Sequence, residues 1–394
     1  MSKHLIGRAV SAAVMLLLAG CPAPQDTGGG NDNDANVNEG DDPQNDNTSN
    51  DNGAALDNEN GNDNDNGITL AIGQPEQPTQ GPGSSNYVHQ QVRTSKFGSG
   101  TEAYFLYEPA EPTPESAAPV VAFLHGFGGV NPSVYGPWIA HIVRKGNIVV
   151  YPLYQTSLGT PPAVYTPSAL TALTDAYELL ASPDHVDPDP VNFALVGHSV
   201  GGVLAANVAA GAQGAGLPAP RALMLTAASD TDVPGPLGDN FDSILDDVDY
   251  GLIPADVLML GVVGNDDNLA LDVATVAIFN ATPQIPSGNK EIVRLFSDDY
   301  GEPPLIANHN AAASFDPNFD SGDEPFPGFF DGESTALPAD ALDFFGYWKL
   351  FEGLTDAAFF GNNREFALGN TPAQTFLGVW DDGTPVTPAK VGSP

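Results

Sequence analysis

The sequence predicts an α/β fold: a mostly parallel central sheet with helices on both faces and antiparallel strands at its N-terminal side. Three observations carry this. Short apolar runs at 120–124, 148–151, 193–196, 222–227, 257–263 and 292–296 have the length of buried strands. Helical stretches at 135–145, 168–181 and 200–212 follow the first three of them, the alternation that parallel strands with crossover helices require. Segments 87–97 and 103–108 instead alternate apolar and polar residues, as half-buried strands do. Toward the C-terminus Phe344, Tyr347, Trp348, Phe351 and Leu354 fall at helical spacing and predict a core-facing helix. The acidic stretch 229–254, broken by Gly and Pro, reads as an insertion outside the core. There is no internal repeat.

Composition narrows the function classes. The 394 residues allow one large domain or two ordinary ones. Twelve Lys and Arg stand against 50 Asp and Glu, a net charge of −38, which disfavours nucleic acid, whose binding is driven by basic side chains displacing counterions. A single cysteine excludes an internal disulfide, a zinc ribbon and CxxC redox chemistry. Residues 68–394 hold 38 acidic and 10 basic side chains. Such a surface stays soluble and repels anions, and it fits a salty medium, in which added salt should raise stability.

The N-terminus reads as an address followed by a tether. Lys3 and Arg8 precede an apolar run over 9–19, too short for the ~20 residues that cross a bilayer but suited to a secretory signal. Leu18-Ala19-Gly20-Cys21 resembles the bacterial lipobox, which implies cleavage after residue 20 and a lipid anchor on Cys21. Pro22 in the next position resembles lipoproteins passed on to the outer membrane or cell surface. Residues 22–67 hold twelve acidic and no basic residues among Asn and Gly, too polar to order themselves. Calcium does not fit this stretch: taking Gly67 as the loop glycine of an EF-hand puts Gly73 where the bidentate Glu belongs. The expected organisation is signal 1–20, tether 21–84 and one domain over 85–394.

The chemistry is carried by Gly197-His198-Ser199-Val200-Gly201-Gly202, between a strand and an Ala/Val-rich helix. A Gly-x-Ser-x-Gly pentapeptide arises by chance. In this context it makes an elbow that lifts the serine hydroxyl above the sheet at a helix N-terminus, with glycines where side chains would clash. Acyl transfer also needs two N–H donors for the developing oxyanion. The N–H of Val200 supplies one, and a main-chain N–H of the loop His125-Gly126-Phe127-Gly128-Gly129, that of Phe127, the other. His125 itself is expected to be a buried histidine bonded to backbone. Past the 257–263 strand, Gly264-Asn265-Asp266-Asp267 delivers carboxylates able to orient an imidazole. The Gly-x-x-Asp spacing favours Asp267, with Asp266 and, after the preceding strand, Asp230 as rivals. Of seven histidines, only His309 lies downstream of both Ser199 and Asp267 in a loop after a strand. The order Ser, Asp, His is the one this elbow demands.

These motifs together resemble the α/β-hydrolase superfamily, and within it the serine hydrolases related to dienelactone hydrolase, chlorophyllase and polyester hydrolases. The resemblance spans 86–361. It implies a Ser199–His309–Asp267 triad acting on a carboxylic ester, small or polymeric, through an acyl-enzyme, with no cofactor and no metal. Phe127, Tyr151 and Tyr154 are candidates to line an apolar cleft, and the negative surface favours neutral esters. Two features depart from the pattern. Dienelactone hydrolases use a cysteine nucleophile, and no cysteine lies in this domain; the 229–254 insertion has no counterpart. Two other readings are a non-catalytic surface lipoprotein of this fold that binds a ligand, and a peptidase on the same fold.

Overall fold

The computed structural model describes residues 71–157, 159–231, 243–244, 248–323 and 338–392. The expected signal 1–20, the lipid-attachment site Cys21, the tether as far as residue 70 and parts of the 229–254 insertion lie outside the described residues.

Among the described residues nine strands form one sheet, in the order β1-β2-β4-β3-β5-β6-β7-β8-β9. They are β1 (Gln91–Phe97), β2 (Tyr104–Ala110), β3 (Ala118–Leu124), β4 (Ile148–Pro152), β5 (Pro188–His198), β6 (Ala222–Thr226), β7 (Leu258–Gly264), β8 (Lys290–Leu295) and β9 (Lys390–Gly392). Strands β3 to β8 run parallel. Antiparallel β1 and β2 extend one edge and antiparallel β9 the other. Every residue of β4, β6 and β7 is buried, which is why these strands read as unbroken apolar runs: both sheet faces are covered.

Helices α1 (Gly136–Arg144) and α5 (Lys349–Phe360) cover one face, with Trp138, Phe351 and Leu354 in its core. Helices α2 (Tyr165–Leu180), α3 (Val200–Gly211) and α4 (Val273–Ala281) cover the other, with Leu173, Val203 and Ala274. α3 is buried on all sides from Val200 to Ala210. Its Gly, Ala and Val side chains are small enough for that close approach. The aromatic spacing near the C-terminus corresponds to a π-helical turn, Leu342–Trp348, running into α5.

Two expectations are corrected. The sequence reading extends the tether to residue 84, but 71–84 packs on the domain: Glu302 N–H donates to the Ile72 carbonyl, Asp381 N–H to Gly73, and Gly83 N–H to the Glu352 carboxylate at 2.7 Å. Few apolar residues mark this stretch, yet Ile72 packs against the core and Pro75, Pro82, Gly83 and Ser84 are buried, so both backbone pairing and burial attach it. The 229–254 insertion reads as lying outside the core, yet Ile244, Tyr250 and Ile253 are buried against α3 and its neighbours. Asn207 of α3 receives the Tyr250 hydroxyl at 2.7 Å and donates to the Ile244 carbonyl at 2.9 Å.

Candidate active site

The site residues converge beyond the C-terminal ends of β3, β5, β7 and β8, the side of an open parallel sheet where ligands bind. At the end of β5 the chain reverses into α3 through Ser199, whose φ of 57° and ψ of −126° lie outside the regions a side chain prefers. The strain is held by a crowded backbone. A Cβ on Gly197 would stand 1.9 Å from the Gly201 carbonyl oxygen, and one on Gly201 2.1 Å from that of Leu124. Ser199 N–H donates to Thr226 at the end of β6, and its carbonyl receives Gly202 and Ser229. The Ser199 side chain makes no capping bond to α3. It points elsewhere.

His309 Nε2 lies 2.9 Å from Ser199 Oγ, and His309 Nδ1 lies 3.0 Å from Asp267 Oδ2. An ionised carboxylate only accepts, so Nδ1 carries the proton and Nε2 is the acceptor facing the hydroxyl. Asp267 Oδ1 takes the N–H groups of Leu269 and Ala270, both at 2.9 Å. Burial alone would raise the Asp267 pKa, but the His309 hydrogen bond, its charge and these two N–H groups outweigh it and hold the carboxyl below its ordinary value.

The two rival carboxylates are engaged elsewhere. Asp266 Oδ2 receives the Ser297 hydroxyl at 2.5 Å and Oδ1 the Asn265 amide. Asp230 receives Thr231 N–H, Ile244 N–H and the Ser243 hydroxyl, tying down the insertion.

The His125–Gly129 loop follows β3 and passes close to the elbow: a Cβ on Gly126 would meet the Ser199 Cβ at 3.3 Å. Val200 is the first residue of α3, so no intrahelical acceptor serves its N–H. His125 is buried, as expected, and its Nδ1–H donates to the Gly126 carbonyl at 2.7 Å. Desolvation lowers its pKa to about 4 and keeps it neutral. The cleft expectation for Tyr151 and Tyr154 is corrected. Both are fully buried, and their hydroxyls donate to the carbonyls of Gly129 and His125, so they brace this loop from behind. Gln155, which sequence reading missed, does the same through Gly128 N–H at 2.8 Å.

Residues 83–225 match the chlorophyllase family model. With the mixed nine-stranded sheet and the strained turn after β5, this decides the fold. The chain has the α/β-hydrolase fold. The matched stretch holds the His125 loop and the Ser199 elbow and ends before Asp267 and His309. No curated protein matches the chain. For a protein of this fold the family match points to an ester hydrolase.

Two further contacts have no motif to announce them, although His198 itself stands in the elbow motif. His198 Nε2 lies 2.7 Å from the His309 carbonyl oxygen, and Tyr135 Oη 2.8 Å from His198 Nδ1. Their partners are 63 to 111 positions away in the chain, too far for spacing to reveal. Among the described residues no group of three or more His, Cys, Asp or Glu could hold a metal, and no helix is long and apolar enough to cross a membrane.

Proposed function

We propose that this α/β-hydrolase-fold chain is a serine ester hydrolase working through an acyl-enzyme on a neutral carboxylic ester. One observation carries the reading: His309 offers Nε2 to the Ser199 hydroxyl and Nδ1 to the Asp267 carboxylate, each at hydrogen-bond distance. As Ser199 Oγ attacks the ester carbonyl carbon, its proton passes to His309 Nε2. Asp267 stabilises the imidazolium. The N–H groups of Val200 and Phe127 receive the oxyanion. The C–O bond breaks, His309 protonates the departing alkoxide oxygen, and the acyl group stays on Ser199. Water then attacks the acyl carbon and gives one proton to His309, which returns it to Ser199 Oγ as the carboxylic acid leaves and loses its remaining proton to solvent. The excess of acidic groups favours neutral over anionic esters and helps expel that product.

Turnover of p-nitrophenyl acyl esters by wild type and Ser199→Ala tests the reading. Loss of at least about 1000-fold in kcat is expected. Turnover untouched by the substitution sinks it.

The N-terminal pattern supports an exported protein anchored through a diacylated Cys21, on the outer membrane or cell surface. Intact mass of detergent-extracted protein should show loss of residues 1–20 and a diacylglyceryl addition. A water-soluble, unmodified Cys21 would remove the anchor from the account.

A further inference from the structure

The base and the oxyanion loop are joined by a second path that bypasses Ser199 and Asp267. His309 offers a carbonyl oxygen to His198, so His198 Nε2 must carry the proton, at 2.7 Å. In the neutral ring Nδ1 is then an acceptor, and the Tyr135 hydroxyl donates to it at 2.8 Å. The same hydroxyl oxygen accepts Gly126 N–H at 3.0 Å. Every polar atom of both side chains is thus partnered, and both rings are almost wholly buried. Proton directions are fixed along the whole chain. At one end stands the main chain of His309, and at the other the residue before Phe127.

We propose that Tyr135 and His198 are positioning residues that lock the His309 loop to the Gly126–Phe127 loop, so that base and oxyanion donor meet the substrate carbonyl as one unit. The proposal rests on the serine-hydrolase reading above. His198 has to stay uncharged for this. It stands beside His309, ring centroids 5.0 Å apart, and His309 becomes an imidazolium in each half-reaction. Burial first, and the His309 charge second, hold the His198 pKa down to about 3. Its N–H therefore remains a neutral donor, and no second cation forms next to the first. A misplacement of either loop by about 1 Å would cost on the order of 100-fold in the chemical step.

The test pairs kinetics with spectroscopy. Tyr135→Phe and His198→Phe should each lower kcat by about 10- to 100-fold with KM within about threefold of wild type, and His198→Gln, whose amide can still donate to the His309 carbonyl, should recover part of the loss. If both Phe variants fold and keep kcat within about threefold, the proposal is overturned. If Ser199→Ala in the same assay keeps its turnover, the hydrolase reading fails first, whatever the Phe variants do. Should the Phe variants not fold, ¹⁵N NMR of the wild-type histidines decides. A neutral His198 ring protonated on Nε2 between pH 5 and 8 supports the lock. A charged ring at pH 6, or a proton on Nδ1, overturns it.

Discussion

The Ser199 elbow and the His309 loop meet at the candidate site, 2.9 Å apart through Oγ and Nε2, and are held by different physics. The elbow is a steric device. Backbone packs on backbone so tightly that Gly197 and Gly201 have no room for a methyl group, and the strained Ser199 conformation follows from that crowding. The His309 loop is a hydrogen-bonded device. His198 holds its carbonyl, the Ser297 hydroxyl takes Ala307 N–H at 2.8 Å, and Ala307 in turn accepts Asp266 N–H at 3.1 Å. The candidate nucleophile therefore sits in a turn marked by neighbouring glycines, whereas the candidate base is held by hydrogen-bond partners scattered along the chain. The first should tolerate almost no change and the second should fail by degrees.

Gly197→Ala breaks the comparison at its hardest point and should have the largest effect. A Cβ at 1.9 Å from a carbonyl oxygen cannot be accommodated by a side-chain rotation. The elbow must open, at a cost of several kcal/mol, and little folded protein should be recovered on expression. A soluble, active variant would show that the crowding does not hold the turn. Asp267→Asn comes next. It keeps the size of the side chain but permits the wrong His309 tautomer, and kcat should fall by about 10³- to 10⁴-fold with the melting temperature nearly unchanged. A drop of less than about tenfold would remove Asp267 from the triad.

The same contrast explains what could be read from the sequence. The elbow was legible because its determinants lie within six consecutive residues, and the parallel sheet because full burial writes itself as apolar runs. Asp267 is favoured over Asp266 in the sequence on its Gly-x-x-Asp spacing alone; a Cβ on Gly264 would stand 2.1 Å from the Ala307 carbonyl oxygen, so glycine there lets the His309 loop come close. Tyr135, Gln155 and Ser297 left no trace, and His198 showed only as a member of the elbow motif, because each acts on groups that only the fold brings near. Tyr151 and Tyr154 were misassigned for a related reason: an aromatic residue after a strand has the same spelling whether it faces a cleft or braces a loop. α4 and β9 passed unnoticed, one for its β-branched residues and the other for its three-residue length.

A smaller effect should appear where the π-helical turn meets the far end of the His309 loop. Asp343 is buried there, accepts Asp340 N–H at 3.0 Å and faces the Ser314 hydroxyl at 3.5 Å. Burial, reinforced by the Asp340 charge, pushes its pKa well up, and burial raises Asp340 to about 6. A carboxyl with a raised folded-state pKa binds its proton more tightly when folded. The stability it contributes is full below the unfolded value near 4 and is lost as pH rises through the folded value. Asp343→Asn removes that loss. Its stability to denaturant should exceed that of wild type as pH rises above the unfolded value near 4, and the difference should shrink toward pH 4. A difference that stays constant across this range would show that Asp343 does not titrate with folding.

Asp266→Asn sharpens the comparison most finely and should change least. Its carboxylate lies one residue from Asp267 and contacts no catalytic candidate. It accepts the Ser297 hydroxyl, which in turn receives Ala307 N–H two residues before His309. An asparagine oxygen can still accept from Ser297, so the clamp on the loop survives with a neutral acceptor in place of a charged one. That exchange weakens one exposed hydrogen bond by about 1 kcal/mol or less. The rate constant kcat for p-nitrophenyl ester turnover should stay within about threefold of wild type, against the thousandfold or greater loss in Asp267→Asn. Reversal of that ranking, with Asp266→Asn the crippled enzyme, would assign the orienting carboxylate to the neighbouring position and require the loop after β7 to rearrange in solution.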